Sequence, residues 1–177
     1  MKEVIAFTGR AGAGKSYQCM LLADKGFVKM SFADPLRQIL AKTIGIPFNE
    51  FMDNYDKLKY TELINGLNAR RLLENLGEGI RTYTPDYFIQ ALFSSVVKSE
   101  SSVCIDDLRY VNEYRFLRDR LHELQIPFKV VFCDYHSDRY QKYNTHGSAW
   151  LSNRLCDLGY ADLQELTDDD LENLVDR

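Results

Sequence analysis

The feature that most constrains this chain is a glycine-rich stretch near its start. Residues 9–16 read Gly-Arg-Ala-Gly-Ala-Gly-Lys-Ser and fit the pattern G-x-x-x-x-G-K-[ST] at every fixed position. The apolar run at residues 4–8 predicts a buried strand, and residues 17–23 predict a helix. A strand, a glycine-rich turn and a helix N-terminus, in this order, form a site for phosphate. The sequence therefore predicts a phosphate-binding loop for a nucleoside triphosphate.

The chemistry of such loops assigns roles to individual side chains. Lys15 is expected to reach the β- and γ-phosphates, and the Ser16 hydroxyl is expected to coordinate Mg²⁺. A nucleoside triphosphate is therefore the expected ligand, and Mg²⁺ is the expected metal. The predicted nucleotide-binding residues are Arg10, Ala11, Gly12, Ala13, Gly14, Lys15, Ser16 and Tyr17.

Composition excludes several other classes of protein. With 177 residues, the chain suits one domain, and its net charge of -4 argues against broad binding to nucleic acid. The four cysteines are Cys19, Cys104, Cys133 and Cys156, which lie far apart and predict reduced thiols, not a zinc site or disulfides. A strand so near the start leaves no room for a signal peptide, and no apolar run approaches the ~18 residues of a membrane span. A cytoplasmic protein without membrane or nucleic-acid partners is expected.

Strand and helix patterns alternate along the chain. Strands are predicted at residues 4–8, 27–32, 102–105, 128–133 and, weakly, 161–166, and helices at 17–23, 34–44, 68–76, 84–98, 148–158 and from 167. A further helix is predicted after Asp107, with Tyr114, Leu117, Leu121 and Leu124 on one face. Residues 48–67 have a mixed pattern and are interpreted as an insertion of short helices or ordered loops. Gly77 is predicted to end the helix before it. Such alternation predicts a parallel sheet covered on both faces, with ligands at the carboxyl ends of its strands.

Acidic residues follow two of the predicted strands. Asp106 and Asp107 close the strand at 102–105, where a metal-binding Walker-B carboxylate is expected. Neighbours on a strand point to opposite sides, so the sequence leaves open which of the two faces the metal. Asp34 also follows a strand, and two roles stay open for it: the N-cap of the helix that Pro35 begins, and a contact to the acceptor substrate.

Arginines are the natural partners of phosphate, because the guanidinium fork matches its oxygens. The candidates are Arg37, Arg70, Arg71, Arg81, Arg109, Arg139 and Arg154. For any one of them, a solvated surface position is the alternative. Arg81 is predicted to lie in a glycine-flanked loop, Arg109 follows the paired acids, and Arg139 and Lys142 fall in a loop predicted to act as a lid.

Four segments in order resemble the deoxynucleoside monophosphate kinases of bacteriophages. They are the phosphate loop, Ser31-Phe32-Ala33-Asp34-Pro35-Leu36-Arg37, the stretch from Arg71-Leu72-Leu73-Glu74-Asn75-Leu76-Gly77 through Arg81 with Pro85-Asp86-Tyr87-Phe88, and Ile105-Asp106-Asp107-Leu108-Arg109-Tyr110-Val111-Asn112-Glu113. The chain departs from the family at Glu74, where glutamine is usual, at Tyr87-Phe88, where tryptophan is usual, and at Ala149, where an acid is usual.

The resemblance implies transfer of the γ-phosphoryl group of ATP to a deoxynucleoside 5′-monophosphate, giving dNDP and ADP. It implies a three-layer α/β/α fold of P-loop kinase type, with a mostly parallel five-stranded sheet whose first strand is central. The implied single domain spans 1–177, with an acceptor-binding helical region at about 45–98 and a lid at about 134–147. A homodimer in the cytoplasm, the host's if the protein is phage-encoded, is the implied setting.

The resemblance implies that Asp34, Arg37, Arg71, Arg81, Asp107 and Arg109 lie around the acceptor and the metal, and these six form the predicted acceptor set. With the residues assigned above from motifs and loops, the predicted catalytic set is Lys15, Asp34, Asp107, Arg109 and Arg139, and the predicted metal set is Ser16 and Asp106. Two other functions stay open. One is a kinase for another small phosphorylated acceptor, such as dephospho-coenzyme A, and the other is a nucleotide-binding regulator with weak or no catalysis.

Overall fold

A computed structural model describes residues 1–134, 155, 158 and 160–172. The predicted lid with Arg139 and Lys142, Cys156, and Arg154 in the predicted helix at 148–158 lie outside the described residues. The chain divides into two units, of which the first contains residues 1–31 and the chain from residue 92 onward, and the second contains residues 32–91.

The described elements follow one another in a largely alternating order. They are β1 (Val4–Gly9), α1 (Lys15–Ala23), β2 (Val28–Met30), α2 (Asp34–Thr43), α3 (Phe48–Asp53), α4 (Tyr55–Leu58), β3 (Glu62–Ile64), β4 (Leu67–Asn68), α5 (Ala69–Tyr83), α6 (Tyr87–Lys98), β5 (Val103–Ile105), α7 (Val111–Glu123), β6 (Phe128–Cys133), β7 (Gln164–Leu166) and α8 (Asp168–Glu172). Among the described helices, none combines the length and apolarity that crossing a membrane would require.

The first unit is built on a five-stranded sheet in the order β2-β5-β1-β6-β7. The strands β2, β5, β1 and β6 pair in parallel, while β7 is antiparallel to β6. β1 lies at the centre, which suits a strand whose residues Val4, Ala6 and Phe7 are all buried. The predicted mostly parallel sheet and its central first strand are confirmed.

Helices cover both faces of this sheet. On one face, the Cys104 side chain of β5 points at α1 and donates to the backbone oxygen of Cys19. On the other face, the Tyr114 ring of α7 stacks on Phe128 of β6. Since Phe128 aligns with Val4 and Cys104 aligns with Ile5, these contacts lie on opposite sides of the sheet. The three-layer α/β/α architecture is therefore confirmed.

The interior of the first unit follows the predicted periodicities. Tyr114, Leu117 and Leu121 are buried on one face of α7, at helical spacing. Leu124, which the same pattern included, lies just beyond the helix and is exposed, so that part of the prediction is wrong. The three described cysteines are buried free thiols, as predicted.

The second unit contains helices and one hairpin. The short helices α3 and α4 match the interpretation of residues 48–67 as an insertion of short helices. The hairpin of β3 and β4 was not predicted, although the sequence carries its signal. Asn65 and Gly66 both have positive φ, at 49° and 78°, as a two-residue turn between strands requires.

Gly77 does not end a helix, contrary to the sequence-based prediction. α5 continues through Gly77 to Tyr83. Glycine is required there by the packing of neighbouring side chains and not by a helix end. A Cβ atom at Gly77 would lie 3.1 Å from Cδ1 of Leu36 and 3.2 Å from Nη1 of Arg81. Glycine is present so that α2 and α5 can approach, and Arg81 consequently lies in the last turn of α5 and not in a loop.

Candidate functional site

The phosphate loop joins β1 to α1 with a backbone that requires glycine at its first position. Gly9 has a φ of 145°, and a Cβ atom there would lie 2.1 Å from the backbone oxygen of Cys133. Gly12 and Gly14 also have positive φ, at 82° and 85°. α1 begins at Lys15 directly after them. The predicted residues 10–17 thus form a tight loop followed by a helix N-terminus, the arrangement that presents N–H groups to an anion.

Lys15 turns back into the loop. Its Nζ donates to the backbone oxygens of Gly9 and Arg10, both at 2.7 Å. Burial, together with the positive charge of Arg109, lowers the pKa of Lys15 to about 8. The loop therefore concentrates positive charge that a bound anion would stabilise.

Asp106 is the acid next to Ser16. Its Oδ2 accepts a hydrogen bond from Ser16 Oγ at 2.6 Å, and Lys29 Nζ lies 2.6 Å from the same oxygen. Asp106 lies two residues beyond Cys104, which places it on the face of the sheet that α1 covers. The geometry places Asp106, and not Asp107, beside Ser16, and it adds Lys29, which sequence reasoning missed.

Asp107 points the other way and has a different partner. Its Oδ2 accepts a hydrogen bond from Ser31 Oγ at 2.5 Å, and both side chains are buried. Ser31 begins one of the segments that carry the family resemblance, yet no role was predicted for it. The two neighbouring acids therefore serve separate positions at the carboxyl edge of the sheet.

Glu113 fixes the backbone that carries Arg109. Its side chain is 3% exposed, and Oε2 accepts hydrogen bonds from the N–H groups of Arg109 at 2.9 Å and Tyr110 at 3.1 Å. This carboxylate lies in the first turn of α7, where negative charge is favoured. The sequence carried only the second half of a capping box, which is a glutamate at the third position of the helix. The N-cap is Tyr110, where serine or threonine is usual.

The second unit holds four of the predicted acceptor residues, which are Asp34, Arg37, Arg71 and Arg81. Asp34 is the first residue of α2 and not its N-cap, since Ala33 occupies that position. Its Oδ1 instead accepts from Arg37 Nη1 at 2.7 Å. The guanidinium of Arg37 also lies 5.3 Å from the centre of the Tyr55 ring. The predicted cap role for Asp34 is wrong, because a carboxylate in the first turn reaches the side chain one turn later.

The other candidate arginines of the second unit differ in their surroundings. The guanidinium of Arg81 lies 4.9 Å from the centre of the Phe88 ring. Arg70 pairs with Glu74 at 2.9 Å along α5, and Arg71 is exposed in the first turn of that helix. Arg37 and Arg81 are therefore oriented by aromatic rings, which favours a defined position for a guanidinium.

The oxygens of Ser16 and Asp106 suit one metal in particular. Within the described part of the chain, no group of three or more His, Cys, Asp and Glu side chains could hold a metal ion. Mg²⁺ does not need such a cage, since it binds through one or two protein oxygens, substrate phosphates and waters. A hydroxyl and a carboxylate side by side at the end of a phosphate loop fit that requirement.

No protein-family model and no curated protein sequence match the chain. Solved structures similar to it include a cysteine-to-alanine mutant of the APS kinase CysC of Mycobacterium tuberculosis, at 19% identity over 89% of this chain and 96% of that one, with a TM-score of 0.37. The same kinase in complex with AMPPNP and APS is 16% identical over 99% and 96%, with a TM-score of 0.42.

A third similar structure is TT1252 from Thermus thermophilus, at 13% identity over 99% of this chain and 78% of that one, with a TM-score of 0.40. At TM-scores this low, the likeness carries no argument of its own. The strand order β2-β5-β1-β6-β7 defines the fold.

Proposed function

We propose that this protein is an ATP-dependent phosphotransferase. The observation that carries the proposal is the junction of β1 and α1, where a phosphate loop contains Lys15 and ends beside the Ser16–Asp106 pair. Phosphoryl transfer needs positioning and neutralisation of charge more than covalent chemistry. This junction offers both, through backbone N–H groups, one buried ammonium and two oxygen ligands for Mg²⁺.

Each residue of the donor site has a defined task in this proposal. The loop backbone and Lys15 bind and orient the β- and γ-phosphates. Ser16 and Asp106 would hold Mg²⁺, which supplies charge neutralisation on the phosphate oxygens when bound. Glu113 orients the backbone at Arg109, whose guanidinium adds a further positive charge near Lys15.

We further propose that the acceptor is a deoxynucleoside 5′-monophosphate. The resemblance in the segments at 31–37, 71–88 and 105–113 supports this choice. The second unit adds support of its own, because Arg37 and Arg81 are packed against Tyr55 and Phe88. An oriented guanidinium is suited to the phosphate group that such an acceptor carries. Asp34, Arg71, Asp107 and Arg109 complete the proposed acceptor set, and Arg139 is proposed to act from the lid.

The test is an acceptor panel. ATP and Mg²⁺ are incubated with each dNMP, with the matching ribonucleotides and with dephospho-coenzyme A, and the products are separated by ion-exchange chromatography. The expected result is dNDP and ADP from at least one dNMP, with Lys15→Ala as the inactive control.

Each other outcome has its own meaning. Turnover of dephospho-coenzyme A alone would keep the phosphotransferase and replace the acceptor. Tight ATP binding by a folded protein that turns over no acceptor would replace the enzyme with a nucleotide-binding regulator.

A further inference from the structure

Lys29 holds the carboxylate that the proposed metal would bind. Its Nζ lies 2.6 Å from Asp106 Oδ2, the same oxygen that accepts from Ser16 Oγ. The proposed function gives this oxygen to Mg²⁺ and gives Lys29 no task. One oxygen thus has a serine hydroxyl and an ammonium within hydrogen-bond distance at the end of the phosphate loop.

The fold directs Lys29 to this position. In the register of β2 and β5, Lys29 aligns with Cys104, whose side chain points at α1. Aligned residues of neighbouring strands share a face, so Lys29 also projects to the α1 side. Asp106 follows Cys104 by two residues and projects to that side as well. The ion pair is therefore a consequence of strand register.

The two partners differ in freedom of movement. The Asp106 side chain is 6% exposed, whereas the Lys29 side chain is 42% exposed. A buried carboxylate between a helix and a strand stays in place. A half-exposed lysine on a flexible stem can withdraw its ammonium into water at low cost.

We propose that Lys29 is a built-in counter-ion that competes with Mg²⁺ for Asp106 Oδ2 and so sets how strongly nucleotide binding depends on the metal. This proposal rests on the proposed function of the donor site. A triphosphate brought close to Asp106 is repelled by it unless a cation lies between them. Lys29 supplies that cation when metal is scarce, and Mg²⁺ displaces it when metal is abundant.

The measurable quantity is the ratio of two affinities. The Kd of AMPPNP, a non-hydrolysable ATP analogue, is measured by calorimetry once in EDTA and once in excess Mg²⁺. In Lys29→Met, metal-free binding should weaken, because Asp106 has lost its counter-ion. Binding with Mg²⁺ should stay equal or tighten, because the metal has lost its competitor. The Kd in EDTA divided by the Kd in Mg²⁺ should therefore rise about tenfold relative to the wild type. This is the order expected for one charge beside a buried carboxylate.

The chain offers a matched control. Lys129 of β6 is 46% exposed, close to the value for Lys29, and its Nζ lies 3.2 Å from Oε2 of Glu165, a carboxylate exposed at the surface. Lys129→Met should leave the ratio unchanged. Lys29→Arg keeps the positive charge and should retain a ratio near that of the wild type. Should Lys29→Met fail to fold, Lys29→Gln carries the same expectation.

The outcomes separate the role of Lys29 from the proposed function of the donor site, on which it rests. A wild-type protein that does not bind AMPPNP in either condition overturns the donor site and the role of Lys29 together. Normal binding with an unchanged ratio in Lys29→Met and Lys29→Gln overturns the role of Lys29 alone. An equal loss of both affinities would also contradict it, since that result describes a merely structural residue.

Discussion

The two units of this protein hold charge in different ways. In the first unit, the phosphate loop depends on backbone conformation and on carboxylates that are almost fully buried, such as Asp106 and Glu113 at 6% and 3% exposure. In the second unit, Arg37 and Arg81 are long side chains that lie over aromatic rings, and Asp34 remains 32% exposed. A site made of backbone tolerates little change in shape. At a site made of stacked side chains, a substitution leaves the fold in place and changes the affinity for the substrate.

The largest effect should come from the backbone of the first unit. Gly9→Ala should destabilise the fold by about 3–5 kcal/mol, because its Cβ would lie 2.1 Å from the backbone oxygen of Cys133. Gly26 has a similar positive φ of 88° with nothing within 4 Å, so Gly26→Ala should cost only about 1–2 kcal/mol. Urea denaturation measures both. Equal losses would mean that the close approach at Gly9 is unimportant.

Lys15→Ala should lower kcat about a hundredfold or more while leaving the fold intact. The reason is that the ammonium of Lys15 is expected to contact mainly the phosphoryl group during its transfer. Steady-state kinetics and thermal unfolding check both statements. Lys129→Ala, at a surface ion pair, is the control and should be active. A rise in KM for ATP with no change in kcat would show that Lys15 contributes only uniform binding.

Substitutions in the second unit should separate the acceptor from the donor. Arg81→Ala and Arg37→Ala should each raise KM for the dNMP about tenfold to a hundredfold, because each removes a charged contact to phosphate. KM for ATP should change little. Arg70 pairs with Glu74 on the same helix as Arg81, and Arg70→Ala serves as the control. Equal effects on both substrates would remove these arginines from the acceptor set.

Glu113→Ala should cost about 2 kcal/mol of stability, because it leaves two backbone N–H groups without their acceptor. Glu113→Gln keeps one oxygen and should cost less. Chemical denaturation gives both values. If the two variants were equally stable, hydrogen bonding by this carboxylate would not be what holds the start of α7.

The smallest effect concerns pH. Lys15 is an amine with a pKa lowered to about 8, so the protein without nucleotide loses this positive charge as pH rises through 8. A bound triphosphate stabilises the charged form and raises the pKa, so binding takes up a proton. Affinity for ATP should therefore be about tenfold weaker at pH 9 than at pH 7.5. Lys15→Arg, which stays charged, should show a flat profile, and a flat wild-type profile would contradict the assignment.

Features fixed by local sequence were predictable. The spacing of the glycines and the neighbouring apolar residues predicted the phosphate loop, β1 and α1. The alternation of strand and helix patterns along the chain predicted the parallel sheet. The prediction that Gly77 ends a helix was wrong, because its role depends on contact with Leu36, which is far away in sequence. The pairing of Lys29 with Asp106 was missed for the same reason, since it arises from strand register.

The hairpin at Asn65 and Gly66 is a different case, because its turn signal was present in the sequence and was outweighed by the mixed pattern around it. The surroundings of the proposed acceptor arginines were the hardest to predict. Arg37 takes its orientation from the ring of Tyr55, which no motif identifies. The role of Arg139 in a lid stays a prediction.

The central claim is that the loop at residues 9–16 binds ATP so that its γ-phosphoryl group is transferred to an acceptor. Its most direct test uses ATP labelled in the γ-phosphate, with Mg²⁺ and the dNMP that the acceptor panel selects. The account predicts that label appears in dNDP in step with ADP, and that Lys15→Ala abolishes this transfer. Label that stays in ATP, or that is released only as free phosphate, in a protein that is folded and binds the nucleotide, would contradict it.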